Sequence, residues 1–248
     1  MNKSSDENKK IRDLTDEKNL YVEQLLEYAK DLRKTVVNLN AVHQELQEAY
    51  FDTIQRLVVA AEYRDEDTGS HIVRMSRYSA FIAEKKGFPK IDVQNILFAA
   101  TMHDVGKIGI PDNILLKKGK LTDEEFKIIK THCTIGARIL SNSKSKVLQL
   151  AESIALTHHE KWNGKGYPEG LTGQKIPIVG RVVCLADVFD ALTSKRPYKK
   201  PISVVKACDI IRNDRGKNFD PEIVDIFFDN LNEIIKIKDE VNFEKSVK

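Results

Sequence analysis

A chain of 248 residues, 41% hydrophobic and 31% charged, can bury one substantial core and carry an extension outside it. Forty basic against thirty-seven acidic residues leave a formal charge of +3, which excludes a blanket nucleic-acid surface and argues against a duplex partner. The three cysteines, Cys133, Cys184 and Cys208, have no C-x-x-C spacing, which excludes a disulfide framework and a structural zinc knuckle. Reduced cysteines, a polar N-terminus (MNKSSDENKKIRDLTDEK) and no long uncharged apolar run predict a cytoplasmic protein without a signal peptide or membrane anchor.

Between residues 11 and 53 apolar side chains recur every seven positions. Ile11, Leu25, Leu32, Leu39 and Leu46 form one register, and Leu14, Tyr21, Tyr28, Val42 and Ala49 the other. Lys18 and Thr35 interrupt the seam, while no glycine or proline interrupts the helix. The pattern predicts a long coiled-coil-like helix that signals or dimerises, the alternative being an amphipathic helix folded back on its own domain. From residue 51 onward the period stays helical, with stretches at 53–64, 71–86, 91–105, 123–140, 145–157, 180–193, 202–213 and 221–236. Thr122-Asp123-Glu124-Glu125 reads as a capping box, and Asp220-Pro221 as a cap before a proline at the first helical position. Segments 106–121 and 160–179 are irregular, and 141–145 is a polar turn. The expected fold is therefore all-α: an arm over 1–50, a helical domain over 51–236, and a charged, partly disordered tail over 237–248.

Five of the six histidines fall in polar or glycine-bearing segments: His71, His103 beside Asp104, His132, and the pair His158-His159. Asp187 stands on an otherwise apolar helix. Imidazole and carboxylate are the usual ligands of borderline divalent metals, and a carboxylate among Leu185, Ala186 and Val188 is costly to bury unless paired or metal-bound. Asp190 reads as an ordinary cap or salt-bridge partner. Lys107, three positions after Asp104, shares its helical face and can meet a phosphate. Adjacent histidines point about 100° apart on a helix, so both serve one site only at a helix end or between two metals. Tyr167 can stack on a base or bond a phosphate. Arg196 and Lys199 are plain surface charges, or clamps if a phosphate lies beside them.

The motifs HDVGKIGIPD (103–112), HHEKWNGKGYPEGLTGQKIP (158–177), RVVCLADVFDALTSKRPYK (181–199), RDEDTGSH (64–71) and GKNFDP (216–221) together resemble an HD-GYP domain across residues 51–230. That is a subfamily of the HD-type metal-dependent phosphohydrolases. The resemblance implies an HD-type helical bundle and makes His71, His103, Asp104, His132, His158, His159 and Asp187 metal ligands, with Asp104 bridging two ions. It places Lys107, Arg196 and Lys199 on the substrate phosphate, and Gly166, Tyr167 and Pro168 in the loop beside it. Asp67, four positions before His71, stands where members with a third metal recruit an acid. In DEDTGSH it serves equally well as a loop or cap residue.

The expected activity is hydrolysis of cyclic di-GMP to pGpG, with GMP as a further product. A metal-bridging hydroxide would attack phosphorus, supported by two or three divalent ions, iron first and manganese as the alternative. Asp104 and Lys107 are the expected catalytic residues. The alternatives are hydrolysis of a mixed guanine-adenine cyclic dinucleotide, and a sensor that binds cyclic di-GMP without turning it over. The expected partners are a second copy through the N-terminal helix and an upstream sensor or receiver.

Overall fold

The computed structural model describes residues 3–62, 69–194 and 201–246. They are all-α, with two isolated bridges, Asn163 with Thr172 and Arg215 with Phe219, as the β-type pairing among them. Two compact units emerge, Met1–Thr53 and Ile54–Lys248. Helix α1 (Lys3–Glu62) crosses from the first into the second. No described helix is long and apolar enough to cross a membrane.

In the first unit the heptad side chains lie open to solvent: Leu25, Leu32, Leu39 and Leu46 are each about two-thirds exposed, and Tyr28 is 71% exposed. In the second unit Ile54 and Val58 of α1 are buried in the core. Helix α2 (Gly69–Lys85) follows, burying His71, Arg74, Met75, Tyr78 and Ile82 along one face at three- and four-residue spacing. It packs on α3 (Lys90–Ala100) and α8 (Ile178–Thr193). Tyr78 of α2, Phe189 of α8 and Phe227 of α10 (Pro221–Asp229) form an edge-to-face stack, with ring centroids 5.6 and 5.0 Å apart. Beside it pack α6 (His132–Leu140) and α7 (Lys146–Thr157), with α9 (Val204–Asn213) on α8. Short helices α4 (Asp112–Leu115) and α5 (Asp123–Lys130) lie between α3 and α6.

Both expected helix starts are present. Thr122 Oγ1 accepts from Glu125 N while Glu125 returns to Thr122 N, and Asp220 caps α10 ahead of Pro221. Three boundaries differ from the sequence reading. The stretch 91–105 stops at Ala100, and residues 105–109 form a 3₁₀ turn. The stretch 123–140 divides at Thr131, whose hydroxyl donates back to Ile128 O and closes α5. The expected tail is instead the end of helix α11 (Leu231–Ser246): Val241 is buried, and Asn242 accepts from Arg74 at 3.2 Å. Charge alone suggested disorder, but Val241 sits on the face that packs against α2.

Candidate metal centre

The centre is assembled at helix ends. His71 opens the buried face of α2, His103 and Asp104 follow α3, His132 begins α6, His158 and His159 close α7, and Asp187 lies on α8 where it packs against α2. Two groups result, each with donor atoms within 4.8 Å of one another: Asp104 with His132, His158 and His159, and His71 with His103 and Asp187. Asp104 faces both. Its Oδ1 lies 3.2 Å from His132 Nε2 and 3.5 Å from His158 Nε2, and its Oδ2 lies 3.2 Å from His103 Nε2. His71 Nε2 approaches Asp187 Oδ1 at 3.5 Å.

Four of the imidazoles are turned the same way by what holds their outer nitrogen. His132 Nδ1 meets Ile129 O at 2.7 Å, His158 Nδ1 meets Ile154 O at 3.0 Å, and His103 Nδ1 meets Ala100 O at 3.2 Å. His71 Nδ1 meets Asp190 Oδ2 at 2.8 Å. Carbonyls and carboxylates only accept, so the ring proton sits on Nδ1 and the Nε2 lone pair points inward. His103 Nε2 and Asp104 Oδ1 are buried and make no hydrogen bond among the described residues, although other donor atoms lie close. Inward lone pairs left unsatisfied in a buried site fit a divalent cation.

The charges follow from this crowding. Burial works against ionising Asp104, but Lys107 and the flanking His103 hold its carboxyl well below the usual carboxylate range. Burial also disfavours charge on His132, yet with no cation in the site contact with the Asp104 carboxylate raises it to about 9, and a cation on Nε2 would displace that second proton. His159, half-buried beside His158, is pushed well below the ordinary imidazole value by desolvation and by its histidine neighbours.

Two glycines permit the close approach of backbone on which the geometry depends. A Cβ at Gly106 would lie 1.9 Å from His132 O and 2.5 Å from Gly136 N, so only glycine lets the 3₁₀ turn rest against α6. That turn carries Lys107, whose Nζ lies 2.9 Å from Asp104 Oδ2. A Cβ at Gly166 would meet Lys161 N at 2.3 Å, and Tyr167 N donates to His159 O at 3.2 Å. The Tyr167 ring thereby stands over His159, centroids 4.8 Å apart. Burial raises its phenol above the ordinary value, so it stays a proton donor.

The sequence that carries this site is matched in known proteins. The HD domain family matches residues 55–223. The chain belongs to the HD-GYP group of HD-domain proteins. A cyclic di-GMP phosphodiesterase of Thermotoga maritima is 47% identical over 214 residues, covering 85% of this chain and 58% of the relative. A 3′3′-cGAMP-specific phosphodiesterase 2 of Vibrio cholerae is 39% identical over 211 residues, covering 85% and 40%. The chain thus spans roughly half the length of the curated relatives it matches. Among solved structures, an HDG"Y"P protein of Bdellovibrio bacteriovorus shares the fold with TM-score 0.53 at 22% identity, covering 74% of this chain and 60% of that one.

Within this HD-GYP chain, the seven histidines and aspartates singled out in the sequence come together, with Lys107 and Tyr167 beside them and Gly166 and Pro168 flanking Tyr167. Asp67 falls in 63–68, and Arg196 and Lys199 in 195–200, outside the described residues. Three side chains support the centre in ways the sequence reading did not give: Asp190, read only as a cap or salt-bridge partner, Arg74 and Glu160. Asp190 is fully buried, whereas Asp187, expected to be the costly acid, keeps 17% of its side chain exposed. Asp190 takes Arg74 Nε at 2.6 Å and Nη2 at 2.9 Å, besides His71. Its own burial opposes ionisation, but Arg74 and His71 lower its pKa. Glu160, also buried, accepts from Glu169 N, Gly170 N and Leu171 N at 2.8 to 3.0 Å and so closes the loop that carries Tyr167. The signals were an acid one turn after Asp187 and an acid directly after the histidine pair.

Proposed function

We propose that the chain is a metal-dependent phosphodiesterase that hydrolyses cyclic di-GMP to linear pGpG, with GMP following where the linear product is accepted again. The observation that carries this reading is the pair of histidine–carboxylate groups that face opposite oxygens of one aspartate, Asp104. The Thermotoga relative, named a cyclic di-GMP phosphodiesterase, supports the substrate.

His132, His158 and His159 would hold one ion and His71, His103 and Asp187 another, with Asp104 between them and Asp67 the residue on which a third depends. Iron is the metal we favour and manganese the alternative, since this donor set suits both. When bound, such ions polarise a phosphoryl group and ease deprotonation of water. The chain's own residues do the rest. Nδ1 hydrogen bonds fix the imidazoles so that no reorganisation is needed at the moment of reaction. Lys107 neutralises a non-bridging phosphate oxygen, Arg196 and Lys199 clamp the phosphates, and Gly166, Tyr167 and Pro168 border the sugar-phosphate ring. Water's oxygen joins phosphorus, the bond to the 3′-oxygen breaks, and that oxygen takes a proton.

Residues 1–50 would form the signalling and dimerising arm, 51–236 the catalytic domain and 237–248 its charged end, in a cytoplasmic homodimer answering to an upstream sensor or receiver. The solvated heptad seam supports the dimer, because apolar a and d positions on a long helix seek a partner. Sedimentation of the full chain should give a dimer, and a chain starting at Ala49 a monomer; a monomer in both sinks that part. For the activity, chelation should abolish cyclic di-GMP turnover and divalent iron or manganese restore it, while turnover that survives chelation sinks the reading.

A further inference from the structure

We propose that α5 supplies a base-stacking platform beside the metal centre, built from Phe126 and Lys130 with Tyr167, which holds one purine of the cyclic dinucleotide and favours guanine there. This deepens, and rests on, the phosphodiesterase reading.

Three aromatic rings lead outward from the centre. Tyr167 lies 6.5 Å from His132 between centroids, and Phe126 lies 6.2 Å from Tyr167 at an interplanar angle of 79°. A phosphate held by the histidines places its nucleoside base one sugar away, the scale of this outward step. Phe126 is 43% exposed, and α5 buries none of its residues, so core packing does not account for an aromatic there. Exposed rings beside a nucleotide phosphate site are what unstacked bases use.

Lys130 gives the platform its preference. Its Nζ stands 4.7 Å from the Phe126 centroid and 5.2 Å from the Tyr167 centroid, and it makes no ion pair with a described residue. An ammonium held over two rings, with no carboxylate on it among the described residues, has donors to offer. Guanine presents two adjacent acceptors, O6 and N7, on one edge, whereas adenine replaces O6 with an amino donor that repels the lysine. Phe126 and Tyr167 thus supply the stacking surface, and Lys130 reads the edge.

The test compares Phe126→Ala and Lys130→Met with the wild-type, metal-loaded full chain on three compounds: cyclic di-GMP, the mixed guanine-adenine cyclic dinucleotide, and bis(p-nitrophenyl) phosphate, a diester without a purine. Phe126→Ala should lower kcat/KM for cyclic di-GMP relative to the purine-free diester by ~10-fold. Lys130→Met should lower the ratio of affinities for cyclic di-GMP over the mixed compound by ~5-fold. If both ratios stay at wild-type values while cyclic di-GMP is turned over normally, the platform is wrong and the phosphodiesterase reading stands. If the wild type binds cyclic di-GMP more tightly than both variants yet never cleaves it, the platform stands and the phosphodiesterase reading falls. A wild type that does not bind cyclic di-GMP overturns both.

Discussion

His132 and His71 present the same inward nitrogen but are held in opposite ways. His132 is fixed by a carbonyl three residues back, as are His103 and, from four residues back, His158; the helix ends on which they stand provide the anchor. His71 is fixed by Asp190, 119 residues away, which is itself gripped by Arg74 and, through Arg74, tied to Asn242 on α11. The His132 half of the centre is thus held by local chain geometry, whereas the His71 half, in which His103 is anchored locally, also depends on the packing of three distant helices. The half built from long-range contacts should fail first when the domain loosens, and each substitution below acts on one half, on both, or on the link between them.

The largest effect is expected where the distinction vanishes. Asp104→Ala removes the carboxylate that faces both groups, so activity should fall by at least ~10²–10³-fold, with both ions lost from the purified protein. Elemental analysis beside a turnover assay checks this, and retention of one full equivalent would mean that the halves are independent. Asp190→Asn should act on the His71 half alone. It leaves Arg74 buried without its carboxylate, a loss of about 3–5 kcal/mol in denaturant unfolding. Metal affinity on that side should drop roughly 10–100-fold while the ion held by His132, His158 and His159 persists; equal weakening of both in a metal titration would contradict the division. Gly106→Ala attacks the local half by driving a methyl group into His132 O. It should cost about 1–3 kcal/mol and leave the Asp190–Arg74 pair in place, which unfolding curves for the single and double variants would show by additivity. Smallest is Asn242→Ala, which removes one hydrogen bond to Arg74. About 1 kcal/mol or less should go, measured as a small fall in the unfolding midpoint with no change in metal content.

The same contrast explains what could be read in advance. The all-α fold, the cap residues at Thr122 and Asp220, and the seven histidines and aspartates were legible because period, cap chemistry and ligand type are written locally. Asp190 was readable as a salt-bridge partner, but its partner Arg74 and its hold on His71 were not, since nothing near it in sequence announces either. Asp187 looked like the buried one because its immediate neighbours are apolar, yet burial is decided by which face of α8 meets α2. Helix α11 past Lys236 read as a charged tail because charged residues dominate it, although Ile234, Ile237 and Val241 continue a helical face into the core and Asn242 accepts from Arg74. The break at Thr131, which starts α6 on His132, was also hidden, because helical period continues across it.

The central claim is that two ions share Asp104 in a centre that cleaves cyclic di-GMP. The most direct measurement is metal content and cyclic di-GMP turnover on one sample, purified without oxygen, for the wild type and Asp104→Ala side by side. The account predicts two or more divalent ions per wild-type chain together with formation of pGpG, and loss of both in the variant. An Asp104→Ala protein that keeps its metal and its full activity would contradict it.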